Sequence, residues 1–556
     1  MARSYQFNTS ILIIFAVLLL NSCAYQNIDA DLIIHNARIY SMDQENHVYQ
    51  AMAIKDGKIL ELGPERQILN KYDAKRSIDA AKRIIYPGFI DAHCHFLAYG
   101  RALNEVQLTG TVSWQDVIQK VVDYQSKNPE ARFIQGRGWD QNDWDIKEFP
   151  TNELLNASFP EIPVVLRRID GHALIANDAA LRLAGIHSVK EIEGGEILAS
   201  SGKPSGVLID NAMMAIDAIV PDASIEEELR IIQRAQENCL AVGLTTLAEA
   251  GLDKRDIEIY QRAVQDSVLK MRVYAMLADN QENYDHFVSK GPVINDQLSI
   301  RAFKWVMDGA LGSRGACLLK PYEDLLPRQA YGEMLQTKQY YLEKAYELKK
   351  AGFQICTHAI GDSANRVALD VYCEALDGAR DLRWRIEHAQ VVDPTDMKRF
   401  GECVVIPSVQ PTHAMSDWSW AIERLGRNRI QRAYAYRELM EQLNFLPLGT
   451  DFPIEDISPL KTLATAVFRR DHRGLPSEGW QMENALTMEQ ALRGITIWAA
   501  MANFEEEKKG SLEVGKLADF VILDTDLFNA NEAEVRAARV MQTYINGRCV
   551  YERPLY

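Results

Sequence analysis

Cysteine is scarce, with eight in 556 residues. Apart from Cys23 they are Cys94, Cys239, Cys317, Cys356, Cys373, Cys403 and Cys549, scattered and odd in number. They read as small buried hydrophobes rather than a disulfide framework, although an exported chain could hold a bridge. Basic residues are outnumbered, 61 Lys and Arg against 77 Asp and Glu, for a formal net charge of -16. Nucleic acid needs a basic face and is excluded as a partner; the acidity reads as solubility. No apolar run is long enough to span a bilayer, no repeat period stands out, and no low-complexity tract separates domains. What is present is ordinary for a folded soluble protein: 47% hydrophobic and 25% charged residues. The length exceeds one ordinary core and predicts two or three structural units.

The apolar run from Ile11 to Leu20 has the length of a signal-peptide core, and Arg3 precedes it. Leu20-Asn-Ser-Cys23 resembles the bacterial lipobox. The resemblance implies a signal peptide over 1–22, cleavage before Cys23 and lipid attachment to its thiol. The alternative is a plain secretory signal followed by a chance cysteine. Ala24 stands where an inner-membrane retention signal would carry Asp, which favours an outer-membrane anchor facing the periplasm.

Residues 23–87 and 508–556 both read as β-structure, with turns at Asp56-Gly57 and Asn546-Gly547. Neither end has enough strands to close a core alone, so both are expected to meet in one small β-sandwich. Between them, 88–507 alternates strand-like runs with amphipathic helices. Eight candidate strands occur: Ile84 to His93, Gly243 to Glu249, Met271 to Leu277, Ile300 to Met307, Gly352 to His358, Arg383 to His388, Cys403 to Gln410 and Phe445 to Asp451. That count predicts an α/β fold, a (β/α)8 TIM barrel, with an insertion around 100–237 at its active-site face.

His93 and His95 end the first candidate strand, His358 the fifth, His388 the sixth and Asp451 the eighth. Alternation along a strand puts His93 and His95 on one side and Cys94 on the other, so the two imidazoles suit one metal ion. The H-x-H pair alone is a weak signal in a chain with 11 histidines. Four of them and an aspartate, all at barrel-strand ends, make a strong one.

The run from Tyr86 to His95 resembles the first-strand motif of the amidohydrolase superfamily. Thr357-His358-Ala-Ile-Gly-Asp362, Arg385-Ile-Glu-His388, Gly449-Thr-Asp451-Phe-Pro and the run from Gly510 to Asp519 follow in family order. The run from Phe303 to Arg314 resembles the fourth-strand motif of the family 3 branch, which includes N-substituted formamide deformylases. The resemblance covers nearly the whole mature chain. It departs from the family pattern at Ala248-Glu249, where many relatives carry His before the acid. It implies one or two divalent metals, and the imidazole and carboxylate set suits Zn2+ with one position open for water. Bound metal brings the pKa of that water towards about 7 and polarises the scissile carbonyl. Asp451 would both touch the metal and act as the base. Lys304 would carry a CO2-derived carbamate bridging two metals, which requires an amine deprotonated by burial; the alternative is a charge pair with Asp308 or Asp451.

Three further residues are substrate-binding candidates. His172 resembles a family position near the pocket and could hold substrate or an oxyanion, or be a structural loop histidine. Arg314 could bind a substrate carboxylate or pair with a loop acid, and Gln410 could line the pocket or pack in the core. The expected function is hydrolysis of the C–N bond of a linear N-formyl or N-acyl amide. An ester or cyclic-amide hydrolase on the same metal site is the alternative, and a non-catalytic metal-binding lipoprotein is a further one. The expected partners are a small-molecule substrate and, through the lipid, a membrane; a homodimer is left open.

Overall fold

The computed structural model describes residues 28–554 except 142–143, 169–172, 193–194, 222 and 328. The signal peptide, Cys23 and His172 lie outside the described residues. Two compact units form: one takes the chain up to Cys94, Glu237–Glu258 and the chain from Lys270 onward, the other His95–Gln236 and Ile259–Leu269. No helix among the described residues is long and apolar enough to cross a membrane.

The first unit is built on seven parallel strands: β1 (Phe89–Cys94), β2 (Leu244–Leu252), β3 (Arg272–Ala278), β4 (Leu298–Val306), β5 (Gln354–Ala359), β6 (Arg385–His388) and β7 (Ile406–Ser408), paired in that order. Their residues are buried on both faces, as in a parallel sheet covered by helices, so they read as apolar runs rather than alternating ones. The helix Lys338–Ala351 shows why the covering layer forms. Thr337 caps its start, Tyr341, Ala345 and Leu348 recur on its buried face, and Gly352 ends it at φ 79°.

The eighth candidate strand, Phe445 to Asp451, forms no regular strand, yet its backbone joins both edges of the sheet. Val409 N donates to Pro447 O at 3.2 Å and Gly449 N to Val409 O at 3.0 Å; on the other side Ala92 N donates to Leu448 O at 3.2 Å and Asp451 N to His93 O at 2.8 Å. This segment closes the TIM-like α/β barrel. The first candidate strand needs a correction, because it breaks at Gly88. Ile84–Pro87 pairs with Arg38–Tyr40 and Phe520–Leu523 in another sheet, while β1 turns into the barrel. A Cβ on Gly88 would lie 2.5 Å from the Thr245 side chain, so the sharp handover between sheets needs glycine.

The chain ends form two further sheets. One has four strands (Lys58–Gly63, Ala51–Lys55, Ile28–His35, Tyr72–Asp79) and the other six, three of them from the last 40 residues. Leu32, Ile34, Met52 and Ile54 of the first sheet share one apolar cluster with Ile39, Ile85, Phe520 and Tyr544 of the second.

The second unit holds a six-stranded sheet running from Gly195–Ser200 to Val106–Gln107. Helix Trp114–Lys127, capped by Ser113, buries Val117 and Val121 one turn apart in a cluster with Trp139 and Trp144.

The expectation for the cysteines is corrected at one pair. Cys373, in helix Asp362–Leu376, and Cys403, after helix Arg399–Glu402, form a disulfide with Cα atoms 5.1 Å apart. They are 30 residues apart in sequence. Only the placing of successive outer helices brings them together, so their spacing gave no sign of it. Cys549 is exposed rather than buried.

Candidate metal centre

The C-terminal end of β1 is clamped to the closing segment by Asp91. Its carboxylate accepts from the backbone of His93 and of Thr450, both at 3.0 Å, and from Thr450 Oγ1 at 2.7 Å. A Cβ on Gly449 would stand 2.6 Å from His93 N, so the close approach that sets Asp451 beside His93 depends on that glycine. Asp451 and His388 hold left-handed backbone at φ 62° and 74°. Such conformations cost on the order of 1–3 kcal/mol each and gather at functional sites.

These constraints bring five predicted residues of the first unit together. His93 Nε2 lies 3.5 Å from Asp451 Oδ1 and 3.1 Å from Lys304 Nζ. The rings of His358 and His388 are 4.6 Å apart, and those of His93 and His388 5.0 Å. All five side chains are buried or nearly so. His95 follows β1 immediately before helix Phe96–Ala102, makes no side-chain cap to it, and is the first residue of the second unit.

Burial sets the charge state. It lowers the His93 pKa to about 4, with Lys304 adding to the effect, and that of His358 to about 3. Burial, then the neighbouring His358, takes His388 well below its ordinary value. Three imidazoles are therefore neutral at pH 7, the form that binds metal. Burial likewise lowers Lys304 and favours the neutral amine. Its hydrogen-bond partner is His93 Nε2 rather than Asp308 or Asp451.

The residues fit a divalent cation on an observation independent of motif. His358 Nε2 and His388 Nδ1 are buried with no hydrogen-bond partner among the described residues. An unsatisfied buried polar atom costs about 1–3 kcal/mol, and a cation among these lone pairs removes that cost. His93 and Asp451 offer ligand atoms within 4.8 Å of one another, and so do His388 and Asp451. Neutral nitrogen with carboxylate oxygen is the donor set of zinc-type ions.

Of the substrate-binding candidates, Gln410 is buried where β7 leads into helix Pro411–Asp417, and its Oε1 has no hydrogen-bond partner among the described residues. The Arg314 guanidinium bonds Asp324 at 2.6 Å, and Arg424 shares that carboxylate.

Four residues of the centre were missed from sequence. Glu387 accepts His93 Nδ1–H at 2.8 Å and pairs with Arg385 at 2.9 Å, all three fully buried. Burial alone would raise its pKa, but Arg385, then His93 and Lys304, outweigh it and hold it at about 2. Asp308 accepts from the backbone of Ile360, Gly361 and Cys317 at 2.8–3.0 Å and lies 3.6 Å from His358 Nε2. His413 Nε2 is 3.0 Å from Asp451 Oδ2, and its Nδ1 is 3.4 Å from Glu455. Asp91, the clamp above, is the fourth. Glu387 and Asp308 sit inside motifs whose neighbours drew notice. His413 follows Gln410-Pro411 directly, and a proline opening a helix after a barrel strand was the available signal.

A family model described as "Amidohydrolase family" matches residues 76–551. The chain is 33% identical to the Protein LONG AFTER FAR-RED 3 of Arabidopsis thaliana, over 94% of this chain and 92% of that one. It is 27% identical to the N-substituted formamide deformylase of Arthrobacter pascens, over 94% and 98% of the two chains. Among solved structures it resembles an uncharacterized metal-dependent hydrolase from Pyrococcus horikoshii, at TM-score 0.78 and 27% identity, covering 90% of this chain and 99% of that one.

Proposed function

We propose that this metal-dependent hydrolase, which belongs to the amidohydrolase family, cleaves the C–N bond of a linear amide of N-formyl or N-acyl type. The observation that carries the hydrolytic reading is the buried cluster of neutral imidazoles around Asp451, with two nitrogens that lack hydrogen-bond partners among the described residues. The substrate class is supported by the similarity to a relative named as an N-substituted formamide deformylase.

In this reading His93, Lys304, His358, His388 and Asp451 hold the ion, joined by His95 from the H-x-H motif, and the ion is Zn2+, one or two per chain. When bound, it acidifies water and polarises a carbonyl. Glu387 fixes His93 with Nε2 as its lone-pair nitrogen. Asp451, held by its backbone bond to His93, accepts the proton of the attacking water and hands it to the departing amine. Gln410 contacts the substrate. Arg314 is left out, because Asp324 already takes its guanidinium.

We read the two terminal sheets as one β-sandwich domain, and the protein as lipid-anchored through Cys23 to the outer membrane, facing the periplasm. The Cys373–Cys403 bridge supports an oxidising compartment. The test is formate or carboxylate release from a panel of N-formyl and N-acyl amides by zinc-loaded protein, with chelated protein as the blank. Turnover of esters or cyclic amides alone would overturn the linear-amide reading.

A further inference from the structure

Asp451 stands between two imidazole–carboxylate pairs. On one side His93 turns Nε2 towards Asp451 Oδ1 at 3.5 Å and gives Nδ1–H to Glu387 at 2.8 Å. On the other, His413 turns Nε2 towards Asp451 Oδ2 at 3.0 Å and Nδ1 towards Glu455 Oε1 at 3.4 Å. Ser416, one turn further along the helix from His413, donates its hydroxyl to the same Glu455 oxygen. A histidine with one nitrogen facing a centre and the other held by a fixed carboxylate has the usual setting of a metal ligand.

We propose that His413 is a metal ligand and that, with His388 and Asp451, it forms a second divalent-cation position in which Asp451 is shared. The ligand atoms of these three residues lie within 4.8 Å of one another. His388 Nδ1 supplies the independent observation, since it is buried and has no hydrogen-bond partner among the described residues. The helix bearing His413 begins at Pro411, directly after β7, which carries the imidazole to the strand ends where His358, His388 and Asp451 stand. Two imidazole nitrogens and a carboxylate oxygen suit a zinc-class ion rather than calcium or magnesium, which prefer all-oxygen sets. Three protein ligands leave a coordination position open. The inference rests on the metal reading above and adds a ligand outside the motifs that suggested it.

The test is zinc binding, independent of any substrate. Metal-free wild type, His413→Ala and Glu455→Gln are dialysed against graded Zn2+ and bound metal is counted by mass spectrometry. The visible absorption of Co2+-loaded protein reports the ligand set, and circular dichroism checks the fold. The expected result is loss of one equivalent of zinc and a changed cobalt spectrum in His413→Ala. Glu455→Gln should keep that equivalent at about 10- to 100-fold weaker affinity. Equal zinc content, affinity and spectrum in His413→Ala and wild type would overturn the inference alone, leaving His413 as a hydrogen-bond partner of Asp451. Wild type that binds no zinc overturns the metal reading itself. Should His413→Ala fail to fold, unchanged affinity in a folded Glu455→Gln overturns the inference.

Discussion

Glu387 accepts the Nδ1–H of His93 at 2.8 Å, and neither side chain is exposed to solvent. That bond selects the tautomer, leaving the Nε2 lone pair towards Lys304 and Asp451. Arg385 keeps Glu387 ionised where burial would otherwise protonate it. Glu387→Gln can still accept the bond but no longer carries charge, so metal affinity should fall about 10- to 100-fold. Competition with a chromogenic chelator measures this. Unchanged affinity would show that the charge does nothing for the metal.

Asp451→Asn keeps the size of the side chain and removes its ability to take a proton. Turnover should fall by about two or more orders of magnitude, the usual worth of a general base. Near-normal turnover of the best amide substrate would remove Asp451 from the proton path.

The barrel and its strand ends were legible because a parallel strand is a short apolar run and ligands fall at its C-terminal end. His93, His358, His388 and Asp451 could be placed that way. Two kinds of feature escaped. One is contact between segments distant in sequence: Glu387 with His93, 294 residues apart, and Cys373 with Cys403. The other is irregular backbone. The closing segment at Leu448 bonds to both neighbours without strand geometry, and the break at Gly88 exists because the chain serves two sheets. His413 belongs to the first kind, since its spacing from Asp451 means nothing until β7 and the closing segment lie side by side.

The Cys373–Cys403 bridge closes a loop spanning a sequence separation of 30 residues. Cross-links of this kind stabilise by about 2–4 kcal/mol, mainly by restricting the unfolded chain. Cys403→Ser should lower the melting temperature of oxidised protein, and a reductant should lower wild type towards the same value. A variant that melts with oxidised wild type would mean the bridge adds no stability.

Asp417 carries a pH signature. Burial raises its carboxyl to about 6 from the ordinary 3.8, against the hydrogen bond from Tyr434. The folded protein therefore holds a proton there that the unfolded chain has lost between those values. The stabilisation is complete below pH 3.8 and is lost as pH rises through about 6. Asp417→Asn keeps an acceptor for Tyr434 without ionising. Relative to that variant, wild type should lose on the order of 2 kcal/mol between about pH 4 and 7. Denaturant melts of both proteins across that range give the difference, and parallel curves would refute the shift.

Lys304 decides how the centre is assembled. Its amine is buried, its pKa is lowered by that burial, and it stands 3.1 Å from His93 Nε2. A neutral amine can add to CO2, forming an N–C bond and releasing one proton, and the resulting carbamate offers two oxygen donors. Wild type equilibrated with 13C-bicarbonate should then show a carbamate carbon signal that is absent from Lys304→Ala. The same variant should lose metal and activity. Acetate or propionate should restore part of each, because a free carboxylate can supply the two missing oxygens at the entropic cost of separate binding. If Lys304 serves only as a hydrogen-bond donor to His93, the variant keeps its metal, small acids change nothing, and no labelled carbon appears in wild type. Full metal retention in Lys304→Ala would leave the three buried histidines, His95 and Asp451 as a sufficient ligand set and remove the carbamate from the site.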